Sequence, residues 1–350
     1  MIEIDGSRGE GGGQVLRTAL ALSAALGQPF RMVKVRARRK RTGLAAQHLA
    51  AVRMVAAICA ADVEGAEVGS AELTFRPREV RPGSYAQNVG TAGATTLVAQ
   101  AALLPLLRAE EASDLTITGG THVSWSPPFE FLQRVYAPVL GWLGWDARFA
   151  LERRGFYPRG GGEIKVHLTG RPDASPTVSP TRWRRPPREK MHIDVLAVVS
   201  SLSRTIAERM LHTVANGLAS RGWQAHQELL EVPGPTGTYV FIHVHGPAIA
   251  GGFTGLGAPG KPAERVAIEA LGDAIRFLDS DAAVDARLAD QVLLPAIMTG
   301  RDLTFTTRRI SQHLRTQADT IAAFLGPRVT FQESGEVVIG SDRNSNSKLI

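Results

Sequence analysis

Cysteine is nearly absent: Cys59 is the only one in 350 residues. A lone cysteine excludes an intrachain disulfide. Its apolar setting, "AAVRMVAAICAA", favours a buried, inert thiol over a nucleophile, which needs access and a lowered pKa. Long apolar runs are also missing. The most apolar stretch, residues 45–61, is broken by His48 and Arg53, so nothing reads as a membrane span. The first ten residues lack the charged-then-apolar pattern of a secretory signal. These absences lead to the expectation of a soluble, cytoplasmic protein with no membrane contact.

The lysine of a standard phosphate loop is missing too. "GEGGGQVLR", residues 9–17, sets glycines before a helical pattern but has no GK[ST], and its spacing does not fit a dinucleotide fingerprint. Gly9, Gly11, Gly12 and Gly13 permit unusual backbone angles and close approach of a ligand. A structural turn accounts for them as well as a ligand site does. Glu10 is the informative residue: a carboxylate beside an anion makes sense if a divalent metal sits between them. Arg17, one turn into the helix, stands where it would contact such an anion.

Basic residues are plentiful. The formal net charge is +7, which favours polyanionic partners without proving one. "KVRARRKR" (34–41) has six basic residues in eight, and "RWRRPPREK" (182–190) has five in nine. Each run is explained as simply by a solvated face. The first alternates like a strand, with Lys34, Arg36 and Arg38 on one side, and guanidiniums at a strand end are well placed to grip phosphate oxygens.

Apolar periodicity and Gly/Pro breaks give a recurring order of helix, strand, helix, strand, strand. It runs first through residues 14–26, 30–36, 44–60, 62–64 and 71–76. It returns at 92–107, 115–118, 129–143, 145–152 and 163–168, and again at 283–298, 303–306, 312–325, 328–332 and 336–339. The expected fold is α+β, with three similar units. A Pro-rich stretch, "TGRPDASPTVSPTRWRRPP", reads as an extended, exposed linker. It opens a separate strand–helix–strand–strand–helix pattern between the second and third units. The expected organisation is residues 1–180 for two units, 181–280 for a smaller inserted α+β domain, 281–340 for the third unit and 341–350 for a mobile polar tail.

Several further stretches hold candidate chemistry. "GTAGATTLVAQ" (90–100) leads small residues into a helix that carries Gln100, and ordinary capping explains it equally well. In "GGTHVSWSPPFEF", His122 reads as a solvated histidine in a turn, with a ligand site as the alternative. "RLADQVLLP" places Arg287 and Gln291 four residues apart on one helix face, with Asp290 available to a metal or a hydroxyl proton. In "RRISQHLRT", His313 falls near a helix N-terminus, whose positive end disfavours the imidazolium and keeps a nitrogen available as nucleophile. A structural histidine is the other reading. "FIHVHG" puts His243 and His245 on one strand face, but no third ligand stands nearby at metal spacing.

Taken in order, "DGSRGEGGGQVLR", "RARRKRTGLAAQHL", "GTAGATTLVAQ", "RGFYPRGGGE", "LADQVLLP" and "SQHLRT" resemble the motifs of the RNA 3′-terminal phosphate cyclase family. The resemblance spans about residues 3–340. It implies three repeated βαβαββ-type units, a cyclase or enolpyruvyl-transferase-like core, with an inserted smaller domain. It further implies ATP as co-substrate, Mg2+ or Mn2+, and an RNA bearing a 3′-terminal phosphate as partner. The implied reaction is formation of a 2′,3′-cyclic phosphodiester through enzyme–histidine–AMP and RNA-(3′)pp(5′)A, releasing pyrophosphate and then AMP.

By the same resemblance His313 matches the adenylylated nucleophile. Gln100 and the stretch Arg287, Leu288, Ala289, Asp290 and Gln291 match ATP-contacting segments. Arg17, Arg36, Arg39 and Gln47 match a cluster around phosphate groups, and Glu10 matches a metal-contacting glutamate. Two positions depart from the pattern: family members commonly carry Tyr or His where Arg287 stands, and often Cys where Gln312 stands. The alternative is a non-catalytic, cyclase-like RNA-binding protein of ribosome assembly; such proteins lack the histidine that His313 supplies.

Overall fold

The computed structural model describes residues 1–9, 12–170 and 180–340. The first sheet uses β1 (Ile2–Asp5), β2 (Phe30–Val33), β3 (Asp62–Glu64) and β4 (Leu73–Arg76), with α1 (Gly13–Leu26) after β1 and α2 (Ala46–Ile58) after β2. Next come β5 (Ser84–Asn88), α3 (Thr95–Leu107), β6 (Ser113–Gly119), a π-helical stretch Phe131–Tyr136, α4 (Ala137–Trp142), β7 (Ala147–Arg153) and β8 (Gly162–Leu168). After β9 (Arg182–Trp183), β10 (His192–Ser200), α5 (Arg204–Ala219), β11 (His226–Val232), β12 (Gly237–Gly246), β13 (Ile249–Leu256) and α6 (Ala263–Leu278) build another unit. The described chain ends with α7 (Leu288–Ile297), β14 (Leu303–Thr306), α8 (Gln312–Leu325), β15 (Val329–Phe331) and β16 (Glu336–Ile339).

Four small mixed sheets result, in the orders β1-β2-β4-β3, β5-β6-β8-β7, β15-β16-β14-β9 and β11-β10-β12-β13. Each is one parallel pair extended by two antiparallel partners. A helix buries an apolar stripe only against another element. Here α1 packs on α2, α3 and α8, and α7 packs on α8 and α4. α3 is apolar all round, buried from Thr95 to Ala99 and from Ala101 to Leu107, as befits a helix enclosed by others. The strands β10–β13 with α5 and α6 enclose a second apolar core of their own. No described helix is long and apolar enough to cross a membrane. Cys59 is fully buried, its thiol donates to Val55 O, and burial pushes its pKa up to about 11, so it is unsuited to nucleophilic chemistry.

Three expectations are corrected. The basic run 34–41 is a turn, not a strand. Lys34 and Arg36 both adopt φ of 54°, and the curled backbone satisfies itself through Ala37 N–H to Lys34 O and Arg39 N–H to Arg36 O. The side chains therefore fan out instead of alternating. The second basic run is not a bare linker either. β9 pairs with β14, and Trp183 is fully buried against Phe305 and Trp142. Arg185 donates to the carbonyls of Phe277, Leu278 and Ser280 at the end of α6, and Arg188 stacks 3.8 Å over the Trp223 ring. The linker's residues 171–179 and the tail 341–350 lie outside the described residues.

The third correction concerns His122. It is buried, not solvated: Glu130 Oε2 lies 2.7 Å from its Nε2, and its ring stacks 4.2 Å from Tyr239 of β12. Tyr239 OH donates to Glu130 Oε1 and Arg154 donates to Tyr239 OH, so this network ties β12 to the loops beside β6 and β7.

Candidate active site

The glycine loop is shaped by what stands against it. Gly9 has φ of 59°, and a Cβ there would lie 2.1 Å from Thr316 Oγ1 of α8. A Cβ on Gly12 would meet Arg39 Nη2 at 2.9 Å, and one on Gly13 would meet His48 Nε2 at 2.1 Å and Arg17 Nη1 at 2.9 Å. Glycine is needed here because polar side chains from three helices and the basic turn approach the backbone itself. Arg38 fastens the turn to the loop by donating to Gly9 O at 2.9 Å. Glu10, the expected metal ligand, lies outside the described residues.

The electrostatics of this corner are cationic. Burial lowers the His48 pKa to about 3, helped by Arg17, Arg36 and Arg39, so His48 is a neutral imidazole among guanidiniums. Burial likewise lowers Arg17 to about 10, opposed by Asp290. Arg36 is lowered by burial and then by Arg39, and it donates to Gly43 O at 2.7 Å. Like charges converging beside a helix N-terminus give this corner a positive potential suited to an anion. The sequence expectation joined Arg17, Arg36 and Arg39 here, and His48 is an addition. Its signal was a polar residue inside the apolar run 45–61. Gln47 plays a different local part: its Oε1 accepts the Ala94 N–H at 3.2 Å, holding the start of α3.

His313 stands at the second position of α8, where Ser311 caps the helix by accepting the Leu314 N–H at 3.0 Å. The side chain is on the surface, and Nδ1 lies 2.8 Å from Gln14 Oε1. Gln14 in turn donates from Nε2 to Asp290 Oδ2 at 2.7 Å. That donation orients the amide so that its oxygen faces the imidazole Nδ1. Asp290 is buried, and its pKa rises to about 7: burial and nearby Asp285 raise it, while its own backbone hydrogen bond, Arg17 and Gln14 oppose the rise. Gln14 escaped sequence reasoning because a glutamine at a helix start is an ordinary surface residue; only the approach of α1, α7 and α8 gives it two partners.

The remaining expected residues of α7 separate. Gln100 Nε2 donates to Gln291 Oε1, which brings α3 and α7 together. Arg287, the residue that opens α7, reaches Asp273 at 3.2 Å, whereas Gln291 is engaged by Gln100. Leu288 and Ala289 are fully buried apolar side chains. Asp285, unremarked in the sequence, caps α7 by accepting the N–H groups of Arg287 and Leu288 at 2.7 and 3.0 Å.

Comparison with known proteins agrees with this arrangement of motifs. Residues 8–331 match the family described as RNA 3′-terminal phosphate cyclase. Relatives carrying that name include one from Koribacter versatilis, 42% identical over 339 residues, covering 96% of this chain and 92% of the relative. Another, from Archaeoglobus fulgidus, is 40% identical over 345 residues, covering 97% and 100%. A third, from Gloeothece citriformis, is 40% identical over 332 residues, covering 93% of each. With similarity of this extent running through the glycine loop, the arginine turn and the histidine helix alike, the chain belongs to the RNA 3′-terminal phosphate cyclase family.

Proposed function

We propose that the protein converts an RNA 3′-terminal phosphate to a 2′,3′-cyclic phosphodiester at the cost of ATP, with His313 as the nucleophile. The observation that supports this reading is the chain His313 Nδ1–Gln14–Asp290, which suits an imidazole protonated on Nδ1 with its lone pair on Nε2, held from the same helix N-terminus that carries Arg17. A phosphate monoester has no good leaving group, and adenylylation supplies one.

In the first step His313 Nε2 attacks the α-phosphorus of ATP, and the bond to the β-phosphate oxygen breaks as pyrophosphate leaves. The imidazole acquires positive charge, and its Nδ1 proton remains on the hydrogen bond to Gln14, with the Asp290 carboxyl behind. In the second step an oxygen of the RNA 3′-phosphate attacks the adenylyl phosphorus and His313 leaves. In the third the neighbouring 2′-hydroxyl loses its proton to solvent and attacks the activated 3′-phosphorus, and the bond from that phosphorus to the AMP phosphate oxygen breaks as AMP departs. Holding the 2′-oxygen on the same ribose makes ring closure intramolecular.

Arg17, Arg36 and Arg39 are assigned to phosphate oxygens, and Gln100 with residues 287–291 to the nucleotide. A divalent cation, when bound, neutralises phosphate charge. Buried Asp290, committed to Gln14 and shifted toward its neutral form, is a poor ligand for it, so Glu10 and the phosphates themselves are the assigned ligands.

Incubation with α-labelled ATP and Mg2+ or Mn2+ is expected to give an acid-labile protein adduct that His313→Ala abolishes. Wild-type labelling of that variant would overturn the nucleophile. A 3′-phosphorylated oligoribonucleotide should yield a phosphatase-resistant end, and its 2′-deoxy-ended analogue should not.

A further inference from the structure

The paired histidines of "FIHVHG" have a third partner that the local sequence does not show. β10 runs antiparallel to β12 with Asp194 opposite His243 and His192 opposite His245. β11 runs parallel to β10 on its other side, with His226 level with Asp194. Residues level with one another across a sheet share a face, so four of the chain's nine histidines gather about one carboxylate.

Three of these groups lie within ligand reach. Asp194 Oδ2 is 2.9 Å from His245 Nε2 and 3.8 Å from His243 Nδ1, and ligand atoms of all three lie within 4.8 Å of one another. The two imidazoles stack face to face, with ring centroids 4.4 Å apart and planes inclined by 17°, so one ring turns about its Cβ–Cγ bond when both nitrogens point at one ion. Ligand atoms held about 2.1 Å from one tetrahedral ion are separated by roughly 3.4 Å, a spacing that the observed distances bracket.

An ordinary ion pair explains only half of this. Asp194 and His245 make one at 2.9 Å. His243 stands too far from Asp194 for a hydrogen bond, and its side chain is only 11% exposed. An imidazole ligates through a neutral ring nitrogen, and His243 Nδ1 faces the Asp194 carboxylate at 3.8 Å. The other charges facing it are accounted for: Arg134, from the π-helical stretch, is paired with Glu228 of β11 at 3.1 Å. Asp194 and His245 keep about a third of their surface open, which leaves access for an ion and a position for water.

We propose that Asp194, His243 and His245 form a binding site for a divalent transition ion of the Zn2+ class, with three protein ligands and a fourth position open to solvent. Imidazole nitrogens select such ions over Mg2+, so the site is independent of the ATP-linked cation and of the function proposed above.

The test uses the full-length protein, stripped with a chelator and titrated with Zn2+ without ATP, against a chromophoric competitor. One Zn2+ should bind per chain, excess Mg2+ should not displace it, and the melting temperature should rise. His245→Gln and Asp194→Asn, both at partly open positions, should weaken binding more than about tenfold and lose the thermal shift, while metal-free melting stays at the wild-type value. Glu10→Gln should bind as wild type. No binding by the wild type, equal binding by all three variants, or loss confined to Glu10→Gln would each overturn the site.

Discussion

Gln14 holds His313 by its oxygen, 2.8 Å from Nδ1, and Asp290 by its nitrogen, at 2.7 Å. One amide therefore links an imidazole on α8 to a carboxyl on α7. A side chain that can only donate and accept in fixed directions transmits orientation as well as contact.

Replacing that amide should cost rate more than fold. Gln14→Leu keeps the bulk and removes both hydrogen bonds, so His313 can turn and present either nitrogen. Misplacement of a reacting group on this scale costs about a hundredfold. Single-turnover formation of the labelled adduct should slow by about that factor with an unchanged circular dichroism spectrum. An unaltered rate would remove Gln14 from the positioning of His313.

Asp290 should mark the pH dependence of stability. Its pKa is raised from 3.8 to about 7, first by burial. Below 3.8 the group is protonated folded or unfolded and makes no difference. Between 3.8 and 7 the folded chain keeps a proton that the unfolded chain releases, so this group's contribution falls as pH rises, and the full deficit is present above 7. Three pH units correspond to about 4 kcal/mol. Asp290→Asn, which retains an acceptor for Gln14, should match the wild type in denaturant near pH 4 and exceed it by up to about 4 kcal/mol at pH 8. A difference that does not change with pH would contradict the raised pKa.

Gly9→Ala should disturb the junction of loop and α8. Its φ of 59° disfavours any side chain, and the new methyl would collide with Thr316 Oγ1. Strain at such a position costs about 1–3 kcal/mol. Thr316→Ala in the same chain should restore part of the lost stability and part of the adduct formation. Strict additivity in that double-mutant cycle would show that the two residues do not touch.

Tyr239→Phe should loosen the tie between β12 and the loops beside β6 and β7. Buried Glu130 resists ionisation by burial, yet His122 and the Tyr239 hydroxyl outweigh this and hold its pKa at about 2. Removing the hydroxyl leaves a buried carboxylate oxygen short of a donor, at about 1–3 kcal/mol. Chemical denaturation at pH 7 measures the loss; a variant as stable as the wild type would show that water takes the hydroxyl's place.

Elements were legible where local forces decide them. The apolar period of 14–26 and 312–325 returns as α1 and α8, and Ser311 caps the latter as a serine before a helix should. The basic run 34–41 was misread because alternation of charge cannot reveal positive φ at Lys34 and Arg36. Trp183 was hidden in a proline-rich stretch whose composition suggests exposure, although a parallel strand from β14 was waiting to bury it. His122 looked solvated because its partners, Glu130 and Tyr239, are brought to it by a turn and by a strand of another sheet.

By itself the sequence determined the periodicities, the glycine loop and the motifs that mark the family, because each depends on residues close together in the chain. Only the tertiary structure decided that Gln14 joins His313 to Asp290, that His48 sits neutral among Arg17, Arg36 and Arg39, and that Asp194 meets His243 and His245. Those relationships link residues from separate helices and strands, and their directions are set by packing, which no local pattern records.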